Sequence, residues 1–190
     1  MKINVKEILK PIVVLFLIAA VMAALLGGTN LLTRDRIEQL ALKTELEAVA
    51  KVMEGETTVQ TLTLDGKEYT YYKAEKDSKV QGYVFKTSAN GYGGAVSVIV
   101  GFNTDGSITA AEITDVSNET PGLGQNAKKP SFYEQFAGKN ATLSVVKSNP
   151  DSSEIKAVTG ATITSSAVVS AINEARVLFN EVMKGEAGNE

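Results

Sequence analysis

Between Lys10 and Arg34 the chain runs for 23 residues without a charge, PIVVLFLIAAVMAALLGGTNLLT. As a helix rising about 1.5 Å per residue, that run is about 34 Å long, enough for the ~30 Å hydrocarbon core of a bilayer. It predicts a transmembrane helix over 11–33 and a short terminus, 1–10, on one side of it. Lys2, Lys6 and Lys10 stand against Glu7 before the run, while Arg34, Asp35, Arg36 and Glu38 follow it. The positive-inside rule therefore favours a cytoplasmic N-terminus and an extracytoplasmic main domain, with Arg34 and Arg36 opposing that orientation. A cleaved signal peptide shares the basic start. However, the run exceeds an ordinary signal core, no Ala-x-Ala site ends it, and there is no cysteine to carry a lipoprotein anchor. The expectation is a retained single-pass anchor in the cell membrane, in contact with lipid.

The 190 residues contain no Cys, no His and no Trp. That removes disulfides, thiolate nucleophiles, imidazole bases, cysteine-ligated iron–sulfur clusters and zinc sites built on Cys or His. A hydrolase reading fails for want of a base beside any hydroxyl. Electron chemistry in such a chain has to come from a bound organic cofactor. The net charge is −3, and because residues 1–10 carry +2 the remainder carries −5. An acidic exported part argues against nucleic acid as a partner. Paired acids such as Glu112 and Asp115 read as solvated strand edges.

Beyond the anchor, Leu42, Leu46, Val49 and Met53 recur at spacings of 4, 3 and 4, which predicts a helical stalk over 34–54. The main domain is expected over 55–184 and a frayed tail over 185–190. TLTL, then Asp65-Gly66, then KEYTYYKA form the strongest hairpin signal in the chain. Further strands are expected at 80–87, 95–103, 107–115 and 141–147, with a second turn at Asp105-Gly106. The stretch 118–138 reads as an irregular loop holding a short helix near 131–137. Val168, Ile172, Ala175, Phe179 and Met183 predict a last helix over 165–183. The fold class is α+β: one N-terminal transmembrane helix, then an antiparallel sheet packed by helices.

Immediately before that last helix lies VTGATITSS, residues 158–166, five hydroxyls among nine residues. Small residues leave the backbone approachable, and free N–H groups at a helix start cradle phosphate. Spacing alone favours a simple N-cap, the commonest way to begin a helix with Ser or Thr.

Three elements together, TGATITS at 159–165, ETPGLG at 119–124 and GYGG at 91–94, resemble the FMN-binding domain family of RnfG (RsxG) and NqrC, subunits of ion-pumping respiratory complexes. The single N-terminal membrane helix extends the resemblance over nearly the whole chain, and length and order look more like RnfG. The resemblance implies FMN joined by a phosphoester to a threonine hydroxyl, the acceptor falling on Thr162 with Thr164 as rival. Thr159, Gly160 and Ala161 form the rest of that element. It departs from the family pattern at Lys156, where Asp is expected, and at Asn118, where His is frequent. Threonine without a base is a poor nucleophile, so a separate flavin transferase is implied, and the resemblance implies that it is magnesium-dependent and uses FAD as the FMN donor.

A flavin ring needs apolar cover and a few amide donors. Tyr92, Leu123, Phe132 and Tyr133 are candidates for cover. Gly91, Gly93, Gly122 and Gly124 are candidates for close backbone approach, with Thr120 and Glu119 in the same loop. Glu119 is expected either to orient or accept from the flavin or to be a solvated loop acid. The function implied is an electron relay, without independent catalysis, beside the other membrane subunits of an ion-translocating ferredoxin:NAD oxidoreductase (Rnf) complex. An NqrC-like subunit, or a free-standing exported flavin shuttle, is the related alternative. A noncatalytic anchored scaffold whose TGATITS merely caps a helix is the alternative of another class.

Overall fold

A computed structural model describes residues 5–187, with side chains from Leu9 onward. The expectations for Lys2, Lys6 and Glu7, and for the last three residues of the tail, lie outside what is described. The chain divides into two compact units between Lys43 and Thr44.

The first unit is helix only. α1 spans Val5–Val52 without a break at the expected end of the membrane segment, and every described side chain from Leu9 to Lys43 is exposed. The helix is long and apolar enough to cross a membrane by length and composition. The two threonines near the end of its apolar run bond back to the helix. Thr29 Oγ1 donates to the Leu25 carbonyl at 2.8 Å and Thr33 Oγ1 to the Thr29 carbonyl at 2.9 Å, the arrangement that lets threonine sit in a solvent without hydrogen-bonding partners.

The second unit is an antiparallel meander with a helix on each face. β1 (Glu56–Leu64), β2 (Lys67–Lys76), β3 (Lys79–Asn90), β4 (Ala95–Asn103) and β5 (Ile108–Asp115) lie side by side in sequence order. Asp65 and Gly66 take positive φ, 51° and 74°, as the tight right-twisted hairpin at that point demands. The second turn closes at Asp105, whose carboxylate accepts from the Ser107 N–H at 2.8 Å.

The middle strands are apolar on both sides because both sides are covered. Tyr83, Phe85 and Phe102 pack with Phe179 of α3 (Thr162–Ala187). Val84 and Ile99, pointing the other way, join Tyr72, Ala74 and the residues around the end of α1, Ala48, Val49, Val52 and Met53. That alternation is the pleat with two cores. Thr87, buried among apolar neighbours, donates to the Ala171 carbonyl at 2.8 Å and so ties β3 to α3 without an unpaired hydroxyl.

Several expectations change. The strand expected over 141–147 shrinks to β6 (Ser144–Val146), and it leaves the main sheet to pair in parallel with β7 (Glu154–Lys156). Three-residue strands are too short to show an alternation, so β7 carried no sequence signal. α2 is a single turn, Pro130–Tyr133, flanked by 3-10 turns at Gly124–Lys128 and Glu134–Phe136. α3 starts three residues before the expected 165 and continues past 184 to Ala187. The extension has a cause: Glu186 accepts from the Tyr83 hydroxyl and, at 3.1 Å, from Lys73 Nζ, so the helix end is fastened to the sheet rather than frayed from 185.

Candidate functional site

β7 leads into the loop that starts α3, and the loop is tied to the first turn by its own hydroxyls. The Val158 N–H donates to Ser165 Oγ at 3.0 Å, Ser165 Oγ donates to the Ala161 carbonyl at 2.9 Å, and the Ala161 N–H returns to the Val158 carbonyl at 2.9 Å. Ser165 is fully buried by this clasp. Gly160 turns the chain with φ of 77°, and a Cβ there would lie 3.0 Å from Leu123 Cδ2, so glycine suits both the conformation and the space.

Thr162 and Thr164, both within that first turn, have opposite surroundings. Thr162 is exposed, while Thr164 is buried and its hydroxyl donates to Glu119 Oε2 at 2.5 Å. Glu119 is 2% exposed. Its other oxygen accepts from the Gly93 N–H at 3.0 Å, and the amides of Tyr92 and Gly94 also support the charge. Burial alone would push this carboxyl up, but the Thr164 hydroxyl and the loop amides outweigh burial and hold it below the usual glutamate range. It is therefore a buried anion at neutral pH. Gly124 closes the arrangement, since a Cβ there would sit 2.5 Å from Glu119 Oε2 and 2.7 Å from Thr164 Oγ1.

These contacts bring three distant elements, 91–94, 119–124 and 160–164, around one cleft of about 580 Å³. Glu119, Thr120, Gly160, Ala161, Thr162 and Thr164, all sequence candidates, line it. Tyr92, Leu123 and Ile163 form an exposed apolar rim. None of the lining residues is basic, and the positive end of the 26-residue α3 opens onto the cleft at Thr162.

Other candidates lie elsewhere. Thr159 lines a neighbouring groove of about 360 Å³ with Lys156 and Lys129. Phe132 is buried in the core, edge-on to Phe136, and Tyr133 faces a separate small recess beside Lys51 and Lys128, so neither covers the cleft. Gly122 bends its loop with φ of 76° but does not line the site. The Gly93 amide, expected to approach a ligand, is engaged with Glu119. Glu119 is not a solvated loop acid: it is buried, lines the cleft and braces it from inside.

Sequence reasoning did not single out Ile163 or Ser165. Ile163 stands inside the TGATITS element and its exposure on the first turn was open to inference. The Ser165 clasp depends on the loop conformation, and no local pattern announces it.

The FMN-binding domain family matches residues 91–177, the span holding the whole cleft, and the RnfG N-terminal region family matches residues 1–52. A relative from Acetobacterium woodii, named as a subunit of the Na(+)-translocating ferredoxin:NAD(+) oxidoreductase complex, is 35% identical over 202 residues, covering 96% of this chain and 97% of its own. The chain belongs to the RnfG family. Another relative, from Clostridium ljungdahlii and named as a subunit of the proton-translocating ferredoxin:NAD(+) oxidoreductase complex, is 45% identical over 106 residues, 55% of this chain and 57% of that one. Shewanella oneidensis NqrC, at 22% identity, superposes with a TM-score of 0.56 over 67% of this chain and 70% of that structure, which shows a shared fold.

The matched family is an FMN-binding domain, and the residues around the cleft fit that cofactor. The volume lies within the range of cofactor sites. A hydroxyl stands free at a helix N-terminus for the phosphate end, and Tyr92, Leu123 and Ile163 offer the apolar surface a ring requires.

Proposed function

We propose that this chain is the membrane-anchored flavoprotein subunit of an ion-translocating oxidoreductase complex, carrying FMN esterified through its phosphate to Thr162. The single observation that carries the acceptor is the contrast between an exposed Thr162 hydroxyl at the mouth of α3 and a buried Thr164 hydroxyl already donated to Glu119. Membership of the RnfG family supports the assembly: its relatives are named as subunits of such complexes.

Bound FMN supplies one- and two-electron redox chemistry that no side chain here can perform. The chain's own residues hold and screen it. The first amides of α3 and the helix dipole face the added negative charge, which no lysine or arginine lining the cleft neutralises. Tyr92, Leu123 and Ile163 would give the ring apolar cover and screen it from water. Covalent attachment matters outside the cytoplasm, where a dissociated cofactor would be lost by dilution. α1 crosses the membrane with its N-terminus in the cytoplasm, in contact with lipid and with the other membrane subunits. Among the described residues no base is hydrogen-bonded to Thr162, so attachment falls to a separate flavin transferase using FAD.

The test is intact mass and peptide mapping of the full chain produced with and without such a transferase. A gain of one FMN that requires the transferase and disappears in Thr162→Ala is the expected result. No gain in any sample returns TGATITS to a helix cap on an anchored scaffold.

A further inference from the structure

Thr162 and Thr164 are two residues apart on α3 and so point about 200° apart around its axis, at ~100° per residue. The inward one, Thr164, is by chemistry the better nucleophile. Its hydroxyl donates to a carboxylate oxygen, with 2.5 Å between the two oxygens, the base-beside-hydroxyl geometry that activates an alcohol. Yet that carboxylate is a weak base, because loop amides and the same hydroxyl hold it below its ordinary value. It is also a buried negative charge, which repels the pyrophosphate of any incoming donor.

We infer that Glu119 selects the acceptor, holding Thr164 closed so that only Thr162 is presented for flavin transfer. The inference rests on the proposed function above. Glu119 is a positioning residue: it acts through Thr164 and through the loops it joins. One oxygen fastens the 91–94 loop by the Gly93 amide, the other fastens the first turn of α3, and Gly124 leaves no room between them. In the transfer itself the Thr162 hydroxyl oxygen bonds to the FMN phosphorus of FAD, the bond from that phosphorus to the bridging oxygen breaks, AMP leaves with that oxygen, and the hydroxyl proton passes to a base of the transferase. Thr164 is barred from the same step by burial, by its committed hydrogen and by the adjacent charge.

The experiment compares the full chain, Thr162→Ala, Glu119→Ala and Thr162→Ala/Glu119→Ala, each co-produced with a flavin transferase and FAD, by intact mass and peptide mapping. The parent should carry one FMN on Thr162 and Thr162→Ala none. Glu119→Ala should carry FMN divided between Thr162 and Thr164, and in the double variant FMN should return on Thr164. A merely structural role for Glu119 would lower the yield without moving the site. FMN on Thr164 of Thr162→Ala, with Glu119 intact, overturns the inference by showing that the carboxylate activates rather than closes. FMN on Thr162 of the parent with none on the double variant, folded by circular dichroism, overturns it alone. No FMN on the parent overturns the proposed function and this inference with it. If the variants with Glu119→Ala do not fold, Thr162→Ala/Glu119→Gln carries the same test, since glutamine keeps the volume and removes the charge: modification of Thr164 above the Thr162→Ala background is expected, and its absence overturns the inference.

Discussion

Glu119 and Arg176 are both charged, both buried, and both fasten loops to α3, yet they are held in opposite ways. Glu119 accepts from the Thr164 hydroxyl and the Gly93 amide, with the Tyr92 and Gly94 amides in support, so its charge is stabilised from several sides. Arg176 donates only to neutral groups: the Gly106 carbonyl at 2.9 Å, and Asn140 Oδ1 and the Lys139 carbonyl at 3.3 Å. Its guanidinium lies over the Phe102 ring at 5.2 Å, and its buried Nε has no partner. Burial lowers its pKa, but a guanidinium starts so far above neutrality that it stays charged. Burial of a charge therefore does not by itself mark a functional site. What marks Glu119 is whose groups it binds, since its partners shape the cleft whereas those of Arg176 close two turns on the core.

The largest expected effect is on the structural side of this contrast. Arg176→Ala takes the donor from the Gly106 carbonyl, leaves the Lys139 carbonyl with the Ile108 N–H alone and removes the cover of Phe102, and should lower stability by about 3 kcal/mol, read by chemical denaturation in detergent micelles, with FMN still mapping to Thr162. Next, Glu119→Gln should cost about 2 kcal/mol at pH 7. Because the folded pKa of Glu119 lies below its ordinary 4.5, its contribution is present above that value and lost as pH falls through the lower folded one. The gap between parent and variant should therefore close on acidification below pH 4.5. A gap that widens in acid would reverse the sign assigned here.

Smaller effects should follow at partly exposed networks. Tyr83→Phe removes the hydroxyl donated to Glu186 and should cost about 1 kcal/mol, seen as a lower melting midpoint. The contact with that acid, added to burial, pushes the Tyr83 phenol far above its usual value, so no titration of this tyrosine is expected near neutrality. Lys51→Ala, which breaks a solvent-exposed pair with Glu112 at 2.9 Å, should change stability by less than about 0.5 kcal/mol, and less still in high salt. A loss larger than that of Glu119→Gln would invert the ordering that burial imposes.

The parts legible in the sequence were those encoded by neighbours in the chain. β4 has the expected bounds, and the Asp65-Gly66 turn lies where the dipeptide places it, because a pleat and a tight turn are specified within a few residues. The uncharged run likewise marked α1. The parallel β6–β7 pair was not legible, being two three-residue strands, and the extension of α3 rests on Tyr83 and Lys73, more than a hundred residues before Glu186. In the site, Thr162, Leu123 and Tyr92 were legible from their motifs. The exclusion of Phe132 and Tyr133 was not, since an aromatic residue in an irregular loop carries no sign of which way it will face.

By itself, then, the sequence determined the membrane-length helix, the first five strands and their antiparallel turns, the absence of any imidazole or thiol chemistry, and the hydroxyl-rich turn before the last helix. These follow from composition and from periods of two and 3.6 residues, which are local. Tertiary structure alone decided that Glu119 would meet Thr164 across 45 residues of chain, that one threonine of the pair would be buried and the other exposed, and that GYGG would pack on a carboxylate. Such choices depend on which groups are left to satisfy a buried charge once the sheet and α3 have closed, and that is settled by packing in three dimensions rather than by order along the chain.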